Sequence, residues 1–381
     1  MIWIIIDHPQ QLMTALGLIQ NYSISKKNIN LLISNHPYHK NIDIDYSLFF
    51  NEVVVFKRVN LGRNILKDSL NFFIQKVKVN NISKQIKKDD ILIGLSTCQV
   101  LENMFLSLKK DIKKIGIITE VQYKYANKDL SDYKQYPRMV IYSPIMKLLG
   151  LYQVFNGLLE GYSKKTKDGI DALRYVKNID KIYDYLFYMV NIDNKTNDYL
   201  VKYKNSFKIN YLSFKENCKE QKLKEVIFFG NCFYLFENFS KDKYAENTNK
   251  FLDYIRYYYN DFHLIYIPHP KETEEKNQLN LSSFDIYEGK LNAELYFQKK
   301  YCNIQACFSI ASTVTRNALA YNIQSYSFLK VMNFNKQQEN YFINLYGNIQ
   351  DEIFIKDLNK APKKINLKQI NNEILKDILN A

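Results

Sequence analysis

Residues 225–230, Glu225-Val-Ile-Phe-Phe-Gly230, decide the architecture of this 381-residue chain. An unbroken apolar run closed by a glycine is too short for a helix. It lacks the polar alternation of a half-exposed strand, so it reads as a strand buried on both faces of a parallel sheet. Moving toward the C-terminus, helical spacing near Asn249–Tyr258 leads to a strand at His263–Ile267 and another at Phe284–Tyr287. A helix at Asn292–Lys300, a strand at Ile304–Phe308 and a helix opening at Ser312 follow. Toward the N-terminus the same rhythm occurs once more. Strands are expected at Ile2–Ile6, Leu31–Ser34, Val53–Phe56, Ile91–Leu95 and Ile115–Ile118, with helical patterns through Leu12–Ile19, Ile65–Val77 and Val100–Leu108. Tyr185–Val190 is a candidate last strand of that half. Strands alternating with helices build parallel sheets covered on both faces.

The expected fold class is therefore α/β, with two Rossmann-like domains facing across a cleft, the architecture called GT-B. The expected limits are 1–190 for the first domain and 191–223 for a Lys- and Asn-rich linker. The second domain is expected over 224–355 and a basic amphipathic helix over 356–381. Hydrophobic residues at 46% and charged residues at 24% exclude disorder, and 11 Gly with 7 Pro exclude collagen-like or linker-dominated chains. Lys and Arg outnumber Asp and Glu by 53 to 39, giving +14, which favours acidic partners: nucleic acid, anionic lipid, or an anionic sugar or nucleotide. The five cysteines are spread out without a C-x-x-C pair, so neither a disulfide framework nor a zinc site is expected and a reducing cytoplasm fits. The N-terminal Met-Ile-Trp-Ile-Ile-Ile-Asp7 lacks the basic start of a signal peptide, and no apolar run is long enough to span a bilayer.

Three places carry chemistry. Tyr266-Ile-Pro-His269-Pro270-Lys-Glu272 follows an apolar strand, at the carboxyl end where open α/β sheets bind ligands. Prolines on both sides of His269 stiffen the loop, and an imidazole so held can donate to a phosphate. Alone, it reads equally as a histidine capping a strand. Ser309-Ile-Ala-Ser312-Thr313 ends a strand and opens a helix, where backbone N–H groups, the helix dipole and two hydroxyls favour an anion. A lone Ser-Thr pair is most often a plain N-cap. What raises both is their placement at carboxyl ends of one sheet, from which they can converge on one phosphate. Between them, Asn292-Ala-Glu294 opens a helix of the same polarity, and its carboxylate can accept both hydroxyls of a ribose.

A His-Pro after a strand, a Glu roughly 25 residues on and a Ser/Thr pair roughly 43 residues on resemble bacterial sialyltransferases of GT-B fold. The resemblance is to glycosyltransferase family 52 and the related bacterial polysialyltransferases. Ile5-Ile-Asp7-His-Pro9-Gln-Gln-Leu12 resembles their opening strand and Glu-Ser-Pro-x-Gln-Leu. Phe228-Phe-Gly230-Asn231 resembles their strand-Gly-Gln turn. The resemblance implies a metal-independent, cofactor-free, inverting transfer of sialic acid or a related nonulosonic acid from a CMP donor to a cell-surface glycan acceptor. It implies that His269, Ser312 and Thr313 hold the CMP phosphate, that Glu294 holds the ribose, and that Gly230 lies against the donor. The first domain would then take the acceptor and the second the CMP-sugar.

These families carry an acidic-acidic-Gly motif that supplies the base, and this sequence departs from it. After strand Ile115–Ile118 stands Thr119-Glu120-Val-Gln-Tyr123, so Glu120 is preferred by position as the base. Glu160 and Asp168, each before a glycine in a helical context, and Asp7 are the alternatives. CMP-Kdo or another sugar nucleotide would offer a similar handle. A non-catalytic polyanion-binding protein is the reading from another class. No aromatic-basic RNA motif is present, and nucleic acid is not an expected partner.

Asp43-Ile-Asp45 is a DxD better read as surface. His8, His36 and His39 lack ligand-spaced partners. Cys98 reads as a packed thiol. The basic tail reads either as a peripheral membrane contact suited to lipid-linked acceptors at the inner membrane face or as a helix packed on a domain. The second is preferred because its apolar face is small.

Overall fold

A computed structural model describes residues 1–7, 9–35, 44–58, 65–95, 100–108, 111–118, 134–135, 159–166, 169–176, 183–189, 205–209, 212–215, 223–232, 240–269, 272, 278–289, 291, 293–336, 338–339, 342–343, 351–366 and 373–380. The chain forms two compact units, Met1–Phe214 with Ile370–Ala381, and Lys215–Gln369. Both are Rossmann-like α/β units, as the alternation of apolar runs and helices predicts.

In the first unit the described strands are β1 (Ile2–Ile6), β2 (Ile29–Ser34), β3 (Glu52–Phe56), β4 (Ile91–Gly94), β5 (Lys113–Ile118), β6 (Lys134–Gln135), β7 (Leu159–Thr166), β8 (Gly169–Val176), β9 (Tyr185–Met189) and β10 (Ser206–Ile209). Helices α1 (Pro9–Asn21), α2 (Ile65–Ser83) and α3 (Val100–Leu108) intervene. Seven strands make one parallel sheet in the order β10-β9-β5-β4-β1-β2-β3. The run Ile-Trp-Ile-Ile-Ile of β1 is buried throughout because the strand has neighbours on both sides and layers on both faces. At its start the Trp3 indole donates to Asp90 Oδ2 at 3.0 Å, and the terminal amine sits 3.1 Å from Asp90 Oδ1.

The second unit holds β11 (Glu225–Phe229), α4 (Lys241–Tyr258), β12 (His263–Ile267), β13 (Asp285–Ile286), α5 (Ala293–Lys300), β14 (Ile304–Ser309), α6 (Thr313–Ala320) and β15 (Gln324–Ser327). Its five strands are also parallel, in the order β13-β12-β11-β14-β15. Strand alternation sends Val226 and Phe228 into a core with Tyr244, Phe251, Leu252 and Ile255 of α4. It sends Ile227 and Phe229 into a second core with Tyr296 and Phe297 of α5 and Ala318 of α6. Burial on both faces is what the unbroken apolar run of β11 requires.

The structure departs from the sequence reading in several places. Ser206–Ile209 is an edge strand of the first sheet, inside the segment read as linker. It is four residues long and flanked by Lys and Asn, so its apolar Phe207 and Ile209 are too sparse to stand out. Helix α4 begins at Lys241, about two turns earlier than expected, because Ser240 accepts from Lys243 N at 3.2 Å as its N-cap. Glu160 lies on a strand rather than in a helical context, since β7 and β8 pair antiparallel within the small sheet β6-β7-β8.

The tail is not one helix over 356–381. Pro362 cannot sit within a helix interior, and Ile365 is buried with its N–H donating to Gln324 Oε1 at 2.8 Å. The terminal helix α7 covers Glu373–Asn380 and buries Leu375 and Leu379. Among the described cysteines, Cys302 is disulfide-bonded while Cys232 and Cys307 are not, which corrects the expectation of no disulfide at that position.

Candidate functional site

In the second sheet the chain steps from β11 outward to β12 and β13, then returns to the other side of β11 as β14. The following helices therefore diverge: α4 packs on one face and α6 on the other. Between β11 and β14 this reversal opens the crevice where sheets of this kind take ligands.

Parallel register aligns the three carboxyl ends. Phe229 of β11 stands opposite Ile267 of β12 and Ser309 of β14. Directly beyond them come Gly230, Pro268-His269 and Ile310-Ala-Ser312. With strands about 4.8 Å apart, the outer two loops are separated by roughly 10 Å, the reach of a nucleotide phosphate and its ribose.

His269 is half-buried. Its Nε2 lies 3.9 Å from Cys232 Sγ, so the imidazole leans toward the β11 turn. Its backbone is clamped. His269 N donates to Glu272 Oε2 at 3.0 Å, and Glu272 N donates to His269 O at 2.8 Å. The other carboxylate oxygen accepts from the Tyr266 hydroxyl at 2.5 Å and, more weakly, from Tyr244 at 3.4 Å. The Tyr244 hydroxyl also donates to Asn231 O at 2.8 Å and accepts from Asn231 N at 3.2 Å. A single buried carboxylate thus ties the histidine loop to the glycine turn.

Burial, followed by the neighbouring Tyr244 and Glu272, pushes the Tyr266 hydroxyl well above the ordinary tyrosine range and keeps it a donor. A side chain at Gly230 would run into this pair: a Cβ there overlaps Glu272 Oε2 and lies 2.5 Å from the Tyr266 hydroxyl. Gly230 also donates its N–H to Ile267 O at 2.9 Å, joining the two strand ends.

On the far side of the crevice Ser312 is the N-cap of α6, its hydroxyl accepting from Val314 N at 3.3 Å. Ser312 and Thr313 are both half-buried. Beneath them Ser309 and Thr315, fully buried, share a hydroxyl–hydroxyl hydrogen bond that fixes the start of the helix against the strand. An anion placed here meets the Ser312 and Thr313 hydroxyls at the positive end of α6.

The structure brings Gly230, His269, Ser312 and Thr313 to one edge. Glu294 is the second residue of α5, and its side chain lies outside the described residues. Glu120 and Asp168 lie outside them entirely, as do His8, His36, His39, Asp43 and Cys98. Asp45 is exposed and caps a short turn, accepting from Ser47 N at 2.9 Å, as a surface residue would. Sequence reasoning gave no role to Glu272, Tyr266 or Tyr244. The available signal was the spacing Tyr266-x-x-His269-x-x-Glu272, an unusual carboxylate three residues after a histidine in a proline-stiffened loop.

The first sheet has its own reversal between β1 and β4, and Asp7 follows β1 there. Asp7 is buried. Ser34 donates to its Oδ1, Arg58 Nε lies 3.6 Å from its Oδ2, and its N–H donates to Gln11 Oε1 at 2.7 Å.

No protein-family model matches this sequence, and no curated protein does. Among solved structures, the chain is similar to a sialyltransferase from Photobacterium damsela with TM-score 0.49 and 11% identity, covering 93% of this chain and 80% of that one. It is similar to a UDP-GlcNAc 2-epimerase from Neisseria meningitidis bound to UDP-GlcNAc, with TM-score 0.47 and 8% identity over 100% of both chains. A third likeness is to the wall teichoic acid polymerase TagF, with TM-score 0.47 and 12% identity, covering 94% of this chain and 76% of that one. At these scores and identities they assign neither an activity nor a residue role to this chain.

Proposed function

We propose that the chain is a glycosyltransferase that moves sialic acid or a related nonulosonic acid from a CMP donor to a glycan acceptor, with inversion and without a metal ion. The observation that supports it is the placement of the Gly230 turn, His269 and the Ser312-Thr313 helix start at carboxyl ends of three adjacent strands. The acceptor hydroxyl oxygen bonds to the anomeric carbon as the bond from that carbon to the phosphate oxygen breaks. CMP leaves with the electron pair, and the hydroxyl proton passes to a carboxylate. His269 N–H and the hydroxyls of Ser312 and Thr313 meet the charge that builds on the departing phosphate, as preorganised donors do. A phosphate monoester carries that charge on one phosphate, which these three groups can meet. Glu294 accepts the ribose hydroxyls.

Glu120 takes the acceptor proton in this reading. Among the alternatives, Asp7 is the one whose side chain is described, and its carboxylate is already engaged by Ser34 and Arg58. Glu120→Gln abolishes transfer and leaves CMP affinity intact if the assignment holds, whereas Asp7→Asn does so if Asp7 is the base.

Isothermal titration of CMP in the presence of a chelator tests the site. His269→Ala is expected to weaken binding by about 10–100-fold, the worth of one charge-assisted hydrogen bond. No binding by the intact protein, or undiminished binding by the variant, would rule the site out. Donor screening with CMP-Kdo alongside CMP-sialic acid then selects the sugar.

A further inference from the structure

Helix α2 presents two apolar faces, one buried and one exposed. Phe72 and Val79 are fully buried, with Gln75 and Ser83 beside them, as the core-facing side of the helix requires. On the opposite side Leu70, Phe73, Ile74 and Val77 are 62%, 53%, 52% and 46% exposed. Their positions i, i+3, i+4 and i+7 place them in one stripe along two turns. No other described helix leaves more than two large apolar side chains so open. The stripe borders the sheet edge, where Val55 of edge strand β3 is 52% exposed. Lys78 links the two, its Nζ donating to Val55 O at 2.6 Å while sitting 4.9 Å over the Phe56 ring.

The surroundings are basic. Residues 65–90 contain Lys67, Lys76, Lys78, Lys84, Lys87 and Lys88 against Asp68, Asp89 and the buried Asp90. An amphipathic stripe of bulky apolar residues with a lysine-rich border is the composition of a helix lying in a bilayer interface. We propose that this face of α2 docks on an anionic lipid surface.

A second copy of the chain fits the face poorly. The stripe has four open side chains, far fewer than the roughly 20 residues that a stable two-fold interface uses on each side. Pairing it with itself would also press lysine-rich borders together. An anionic bilayer answers both features, since it accepts the apolar side chains and attracts the lysines. The terminal helix α7 is a poorer candidate, because its Leu375 and Leu379 are already buried. No helix among the described residues is long and apolar enough to cross a membrane.

The full chain has a single tryptophan, Trp3, buried at 3% exposure, so Phe73→Trp adds a reporter against a quiet background. The expected result has two parts. Its emission shifts to the blue and is quenched by brominated acyl chains with vesicles about one-third phosphatidylglycerol, and neither occurs with pure phosphatidylcholine. Phe73→Ser combined with Ile74→Ser, folded by circular dichroism, is expected to lower partitioning onto the anionic vesicles by about tenfold or more. Lys84→Gln, Lys87→Gln and Lys88→Gln together should lower it similarly, as should salt well above physiological strength. Unquenched tryptophan, or equal partitioning of the double-serine variant, overturns the proposal. So does light scattering that finds a dimer which the double-serine variant dissolves, since the stripe would then be an interface between copies.

Discussion

The two units use the same device to different ends. In the first, Gly94 closes β4 and Glu102 of α3 tucks under it, its carboxylate accepting from the buried Tyr183 hydroxyl. In the second, Gly230 follows β11 and Glu272 tucks under it, accepting from the buried Tyr266 hydroxyl. A Cβ on either glycine would overlap its carboxylate. Glu102 is a helix residue, 1% exposed, that cements α3 to the sheet. Glu272 stands in a loop and also holds the N–H of His269. A buried glutamate beneath a glycine is thus a packing solution, and in the proposed site its second oxygen also holds the His269 loop.

The largest effect that separates the two units comes from the glycines. Gly230→Ala and Gly94→Ala should each destabilise their unit by about 1–3 kcal/mol through overpacking. Only Gly230→Ala should lower CMP affinity, by up to about 100-fold, because the displaced carboxylate releases His269. Denaturant unfolding paired with CMP titration checks both. Equal loss of affinity in the two variants would erase the distinction.

A smaller contrast concerns the carboxylates. Glu272→Gln leaves one position a donor facing the fixed His269 N–H or the Tyr266 hydroxyl. It should cost about 1–3 kcal/mol in stability and weaken CMP about tenfold. Glu102→Gln should cost similar stability and leave the nucleotide titration unchanged.

Ser312→Ala sharpens the view from the other side of the crevice. Removing the N-cap should cost about 1 kcal/mol, and losing one hydroxyl donor should weaken CMP by about fivefold. A variant with lowered melting temperature and unchanged affinity would reduce Ser312 to a cap alone.

The smallest contrast is alkaline. Burial pushes Tyr326 up to about 12, and Tyr254, Tyr259, Tyr266 and Tyr296 are raised as well, all in the second unit. Among the described residues of the first unit, Tyr46 and Tyr188 are raised. A raised tyrosine holds its proton more tightly when folded. Its contribution is complete below about pH 10 and is lost as pH climbs toward the folded value. For Tyr326 the loss near pH 10.5 is under about 1 kcal/mol. Unfolding followed from pH 8 upward should weaken the second unit first, and simultaneous loss in both would contradict this.

Most of this architecture was legible because strands buried on both faces are written as continuous apolar runs. Ile2–Ile6, His263–Ile267 and Val100–Leu108 fall where the sequence places them. The edge strand Ser206–Ile209 was not legible, since a short edge strand needs few apolar residues and its flanks are polar. In the candidate site, His269 and Ser312 announce themselves through proline stiffening and capping chemistry. Glu272 does not, because its partners Tyr266 and Tyr244 come from a strand and a helix that only the fold brings together. The tail misled for a related reason: helical spacing near the terminus gave no hint that Pro362 and buried Ile365 tie the preceding segment to β15.

A crystal structure of the protein with CMP tests the central claim most directly. The account predicts the phosphate within hydrogen-bond distance of a His269 ring nitrogen and of the Ser312 or Thr313 hydroxyl, with Glu272 still bonded to His269 N. CMP bound away from the carboxyl ends of β11, β12 and β14, or a phosphate held without His269, would contradict it.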